Sequence, residues 1–170
     1  MPLIVFTVEK SREIDAILVR RILESAISLG EPIGYKASLV VYGERAHPLV
    51  DPTLDWGIIP RAYAETPILG KSPNLLEALR ETREILDLED SFEPRITLII
   101  WSASVKPKHR VDLVLKSLEY MGVKYKIIAL RPSLPGWIKY YPEILENTIT
   151  YRSNMNIEKL YQRIIMDITH

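Results

Sequence analysis

Apolar positions along this chain switch between two periods. Three short apolar runs, Leu3 to Phe6, Ile96 to Trp101 and Tyr125 to Leu130, have the form of strands covered on both faces. Each is followed by a stretch of helical period. Ser11 to Leu29 places Ile14, Leu18, Ile22, Ala26 and Leu29 on one face and Glu13, Arg20, Glu24 and Ser28 on the other, with Gly30 expected as its C-cap. Pro107 to Met121 repeats the pattern with Val111, Val114, Leu115, Leu118 and Met121, and Gly122 ends it. Near the C-terminus Ile157, Leu160, Tyr161, Ile164, Ile165 and Ile168 form a core-facing helical stripe. Between these lie an expected strand at Ala37 to Tyr42, a short partner near Ala46 to Val50, a helix from Asn74 to Leu86 and a last strand at Thr148 to Tyr151. Alternating strands and helices imply right-handed crossovers. The expected architecture is α/β, a three-layer Rossmann-like doubly wound, mostly parallel sheet with helices on both faces, with Leu3 to Phe6 in its middle.

The segment from Asp51 to Pro73 breaks this rhythm. It carries Pro52, Pro60, Pro67 and Pro73, and no long regular element is expected in it. Either it is a functional loop, or it is an ordered connection packed by Leu54, Trp56, Ile58 and Ile59. Length and composition change little else: 170 residues suit one domain spanning 1–170, and 47% hydrophobic with 26% charged residues is ordinary for a globular chain. The net charge of zero argues against a surface dominated by nucleic acid or membrane electrostatics. No window approaches a membrane span, and Met1 to Phe6 enters a strand-like run without a basic leader, so a cytoplasmic location is expected. The absence of cysteine removes disulfides, thiol catalysis and cysteine metal sites, and suits a thermophile.

Candidate chemistry is sparse. The seven glycines form neither G-x-G-x-x-G nor a P-loop, and the turn read after the first strand, Thr7-Val8-Glu9-Lys10-Ser11, has no glycine to admit a pyrophosphate. His170 is the last residue and His47 precedes Pro48, so neither reads as a general base, and His109 lies in a basic segment. Glu89 and Asp90 are adjacent carboxylates in a charged loop after a helix. A spatial Ser triad stays open in principle, but no residue nominates one. No cofactor is expected.

Order and spacing then carry a resemblance. The acidic turn and long helix after the first strand, the Tyr42-Gly43-Glu44-Arg45 turn, Ser72-Pro73-Asn74-Leu75-Leu76-Glu77-Ala78-Leu79 and the buried strand ending Ile99-Ile100-Trp101-Ser102-Ala103 together resemble a von Willebrand factor A-type domain over nearly the whole chain. The resemblance implies a metal-ion-dependent adhesion site at the upper rim, made of Asp-x-Ser-x-Ser, a Thr and an Asp. Aligned that way, the first motif falls on Thr7 to Ser11, the Thr position on Pro73 beside Ser72, and the last Asp on Ser102. Thr7, Glu9, Ser11, Ser72 and Ser102 supply one carboxylate, with Lys10 adjacent, so a degenerate site without metal is expected.

Two readings of function follow. The resemblance implies a non-catalytic protein-interaction module, a subunit or adaptor of a larger complex. Trp56, Tyr63, Trp137, Tyr140 and Tyr141, read as loop or loop-flanking aromatics, are candidate anchors for such a partner. The alternative is a nucleic-acid or phosphate binder using Lys106, Lys108, His109 and Arg110 at what reads as a helix start. The expected binding set on the rim is Glu9, Lys10, Ser11, Ser72, Ser102, Lys106, Lys108, His109, Arg110, Arg131 and Trp137.

Overall fold

The computed structural model describes residues 2–89, 92–152 and 155–169, apart from the side chains of Leu29, Ile165, Asp167, Ile168 and Thr169. Asp90 and His170, singled out in the sequence, lie outside the described residues, as do the side chains of Leu29, Ile165 and Ile168.

The apolar runs form the expected sheet. β1 (Leu3–Glu9), β2 (Lys36–Tyr42), β3 (Ala46–Thr53), β4 (Arg95–Trp101), β5 (Lys124–Ala129) and β6 (Thr148–Thr150) are ordered β3-β2-β1-β4-β5-β6. All pairs are parallel except β2 with β3, which a three-residue turn joins antiparallel. β1 therefore lies at the switch point, flanked by β2 and β4, as its fully buried sequence requires.

Alternation along β1 sorts its side chains between two cores. Ile4, Phe6 and Val8 face α1 (Ala16–Gly30), α2 (Ile58–Glu65) and α6 (Ile157–Thr169). Leu3 and Val5 face α3 (Leu75–Asp87), α4 (Val111–Tyr120) and α5 (Pro142–Glu146). Thr7, on the second side, is satisfied within the interior by Thr82 at 2.6 Å and Thr97 at 3.0 Å.

Four expectations need correction. β1 runs to Glu9 instead of stopping at Phe6, because the turn residues Thr7 and Glu9 are buried strand positions. The first long helix starts at Ala16, where the Asp15 carboxylate accepts the Leu18 N–H, not at Ser11. Gly30 is not a left-handed cap. It ends α1 at φ −93°, and the chain continues through a 3-10 turn, Glu31–Ile33, to Gly34 at φ 74°. Gly30 is small because the Trp56 indole lies on it: a Cβ there would come within 2.8 Å of Cζ2 and closer still to Cζ3 and Cη2. Finally, the Pro-rich segment contains the end of β3 and all of α2. Trp56 is its anchor, edge-on to Phe6 at 5.7 Å and donating Nε1–H to the Tyr35 carbonyl at 2.8 Å. Trp56 and Tyr63 are thus core residues, 1% and 0% exposed, and not interface anchors; Leu54 is exposed instead of packed.

Candidate binding site

Parallel strands bring their carboxyl ends to one edge, and the last residues of three neighbours meet there. Tyr42, Glu9 and Trp101 end β2, β1 and β4, and all three rise from the face that packs on α3 and α4. Glu9 is fully buried. Its Oε2 accepts the Ser11 hydroxyl at 2.7 Å and its Oε1 accepts the Ser102 N–H at 3.2 Å. Burial pushes the Glu9 carboxyl above its ordinary pKa; these donors pull it part of the way back, and Glu13 nearby adds to the rise. Tyr42 Oη and Trp101 Nε1 are buried without a hydrogen-bond partner among the described residues. Tyr42, Glu9 and Trp101 line a small cavity of about 10 Å³, room for about one water.

Lys10 turns the other way. Its ammonium donates to the Tyr63 carbonyl at 2.6 Å and the Ala64 carbonyl at 3.2 Å, and sits 4.7 Å from the Tyr63 ring centroid. It caps the C-terminal end of α2, where the helix dipole favours a cation. Tyr63 returns the tie by donating its hydroxyl to the Glu9 carbonyl at 2.9 Å. The expectation that Lys10 faces a partner is therefore wrong: a buried charge needs those carbonyls.

Outside this cluster the edge opens. A groove of about 330 Å³ runs between the β4–α4 loop and the start of α3. Lys106, Lys108 and His109 line one side, and no ion pair holds them among the described residues; Ser72 lies across from them and Glu44 on the same far wall. Pro73, Leu75, Leu76, Val105 and Val111 supply apolar lining. Asn74 caps α3 by accepting the Glu77 N–H at 3.1 Å, so the positive end of that helix faces the groove wall. The turn before it is tight, because a Cβ on Gly43 would lie 2.5 Å from the Leu69 Cβ. Pro73, Leu75, Val105 and Pro107 line both the groove and the small cavity, which makes the cavity the groove's lower end.

The expected site thus divides. Glu9, Ser11 and Ser102 form the buried cluster; Ser72, Lys106, Lys108 and His109 line the groove. Arg110 belongs to neither. It pairs with Asp112 through contacts of 3.0 and 2.7 Å and precedes α4, which starts at Val111, so the basic residues sit in a loop and not in the helix's first turn. Arg131 braces that loop by donating to the Ala103 carbonyl at 3.1 Å. Ala103 has φ 52°, a left-handed conformation that costs a non-glycine residue energy and collects at functional sites. Trp137 is half-buried, wedged edge-on between Trp101 at 5.8 Å and Tyr141 at 5.7 Å. Sequence reasoning missed Tyr42, Trp101, Glu44 and Asn74. The signal for the first two was their place as the last inward position of a strand beside Glu9.

The donor set does not suit a hard divalent cation. With β1 ending at Glu9, the turn that follows it is Glu9-Lys10-Ser11-Arg12-Glu13, two residues on from the expected register. Both Glu9 oxygens are engaged by protein donors, Ser102 pairs with Ser104 at 2.8 Å, and Ser72 lies out in the groove. Among the described residues no three His, Asp or Glu side chains gather at one point.

No family model and no curated protein matches the sequence. Solved structures do match the fold. An aerotolerance-related membrane protein from Bacteroides fragilis, bearing multiple mutations to serines, superposes with a TM-score of 0.79 at 11% identity over 99% of each chain. A von Willebrand factor type A structure from Catenulispora acidiphila gives 0.76 at 11% identity, over 96% of this chain and 41% of that one. Proximal thread matrix protein 1 from the mussel byssus, solved with a zinc-occupied MIDAS motif, gives 0.75 at 16% identity, over 98% and 44%. Strand order, helix placement and these superpositions agree: the chain has the fold of a von Willebrand factor A domain.

Proposed function

We propose that the protein is a non-catalytic protein-interaction module, one domain over its length, which holds its partner at the carboxyl edge of the sheet as a subunit or adaptor of a larger assembly. The observation that carries this reading is the groove, where an apolar lining and lysines with no ion-pair partner among the described residues lie together at the edge where open parallel sheets bind their ligands. The buried cluster beneath it supports a non-catalytic role. Glu9 is held by the Ser11 hydroxyl and the Ser102 N–H, and both Glu9 and Ser11 are buried, so neither stands open to solvent as a nucleophile or base. The cytoplasmic location remains part of the proposal; no described helix is long and apolar enough to cross a membrane.

A photo-cross-linking amino acid at Ser72 should trap a protein partner in cells, while the same group at Lys124 or Glu31, on the opposite edge, should not. Trapping from the opposite edge alone refutes the reading. The second reading, a phosphate or nucleic-acid ligand, has the same two lysines, with His109 beside them, in its favour. Nucleic acid retained in place of protein at Ser72 would establish it.

A further inference from the structure

The groove has a direction. Cations lie along the β4–α4 loop, and the positive end of α3 adds to them. Across from them Glu44 presents a carboxylate whose Oε1 already accepts the Lys71 N–H at 3.2 Å. Below, the buried Glu9 closes the lower end. A nucleic acid brings negative charge at every step and would meet Glu44; a peptide can bring it at selected positions only. The apolar lining has no use for a phosphate backbone, but suits aliphatic side chains. Exposed cations alone contribute little in water, so affinity must come from apolar burial, while the charges select the ligand and set its orientation.

We propose, resting on the rim reading above, that the occupant is an extended acidic–apolar segment of a partner protein, whose carboxylates meet Lys106, Lys108 and His109 directly, with no bridging cation. Its apolar residues lie on the half-buried Val105 and on the Pro73 and Pro107 rings.

The probe is a fluorescein-labelled short peptide alternating Glu and Leu, followed by anisotropy in EDTA at low salt. It should bind saturably, weaken as salt rises, and be indifferent to added magnesium. Lys106→Glu with Lys108→Glu should lower its affinity by about tenfold or more, with melting close to wild type because both side chains are exposed. If the double variant misfolds, Lys108→Glu alone tests the same contact. Replacing the probe's Glu by Gln, or its Leu by Gly, should each cost about tenfold. Equal binding of the Gln peptide, a requirement for magnesium, or preference for single-stranded DNA overturns the proposal. So does absence of peptide binding. If cross-linking from Ser72 still traps a protein in that case, the inference falls and the rim reading stands; if both fail, the rim reading falls too.

Discussion

The two halves of the carboxyl edge use similar residues to opposite ends. Around Glu9, the two buried charges are turned inward and committed: the carboxylate to Ser11 and Ser102, the Lys10 ammonium to the last carbonyls of α2. Around the groove, Lys106 and Lys108 have no ion-pair partner among the described residues and stand in solvent. Polar residues at the end of a central strand can therefore be part of the interior. The open half is where charge is left over for something else. A buried ionisable group without partners is costly, so commitment of the first half follows from its burial, and freedom of the second from its exposure.

Four variants sharpen that contrast, and the largest effect belongs to the closed half. Lys10→Met keeps the apolar stem but strips two charged hydrogen bonds from α2; about 2 kcal/mol of stability should be lost in urea unfolding. If stability is unchanged, Lys10 is as uncommitted as the groove lysines. Tyr63→Phe removes one buried donor and leaves the Glu9 carbonyl short of it, for about 1 kcal/mol. Glu9→Gln is read through pH. Because the folded pKa is raised, the native protein keeps the Glu9 proton to higher pH than the unfolded chain does. Wild-type stability is then fullest below the unfolded pKa and declines as pH rises from there through the folded value. Melting curves from acid to neutral pH should show that decline in wild type and a flatter course in the variant; parallel courses would place Glu9 in water. Smallest of all, Lys106→Ala with Lys108→Ala should leave stability within about 0.5 kcal/mol of wild type. A larger loss would mean that the open half is committed after all.

The sheet was legible because its signal is local. Leu3 to Phe6 is wholly apolar and Ile96 to Trp101 nearly so, and central placement follows from burial on both faces. The edge was less so. Glu9 and Lys10 read as a solvated turn because their partners, Ser102 and Tyr63, are 93 and 53 positions away, and only the fold brings them near. That misplaced the end of β1 and with it the register of the rim motif by two residues. α2 was missed because Pro60 sits in its first turn, where proline lacks a needed donor and is tolerated, yet the cluster of prolines reads as loop. Gly30 reads as a cap by type; its contact with Trp56 is tertiary. The groove cations were found from sequence as a basic run. That Arg110 is spent on Asp112 was foreshadowed only by their spacing.

The row of rings from Trp101 through Trp137 to Tyr141 has an optical consequence. Trp101 stands beneath the groove, its buried indole nitrogen without a hydrogen-bond partner among the described residues, while Trp56 is sealed in the core on the other side of the sheet. Emission from a dry indole is blue, and it reddens and dims when water or a polar group reaches it. With Trp56→Phe removing the distant indole, the two that remain, Trp101 and its neighbour Trp137, both belong to this row and make the protein its own unlabelled gauge of whatever settles in the groove. A colour change from that pair would then be visible in a cuvette before any partner has been identified.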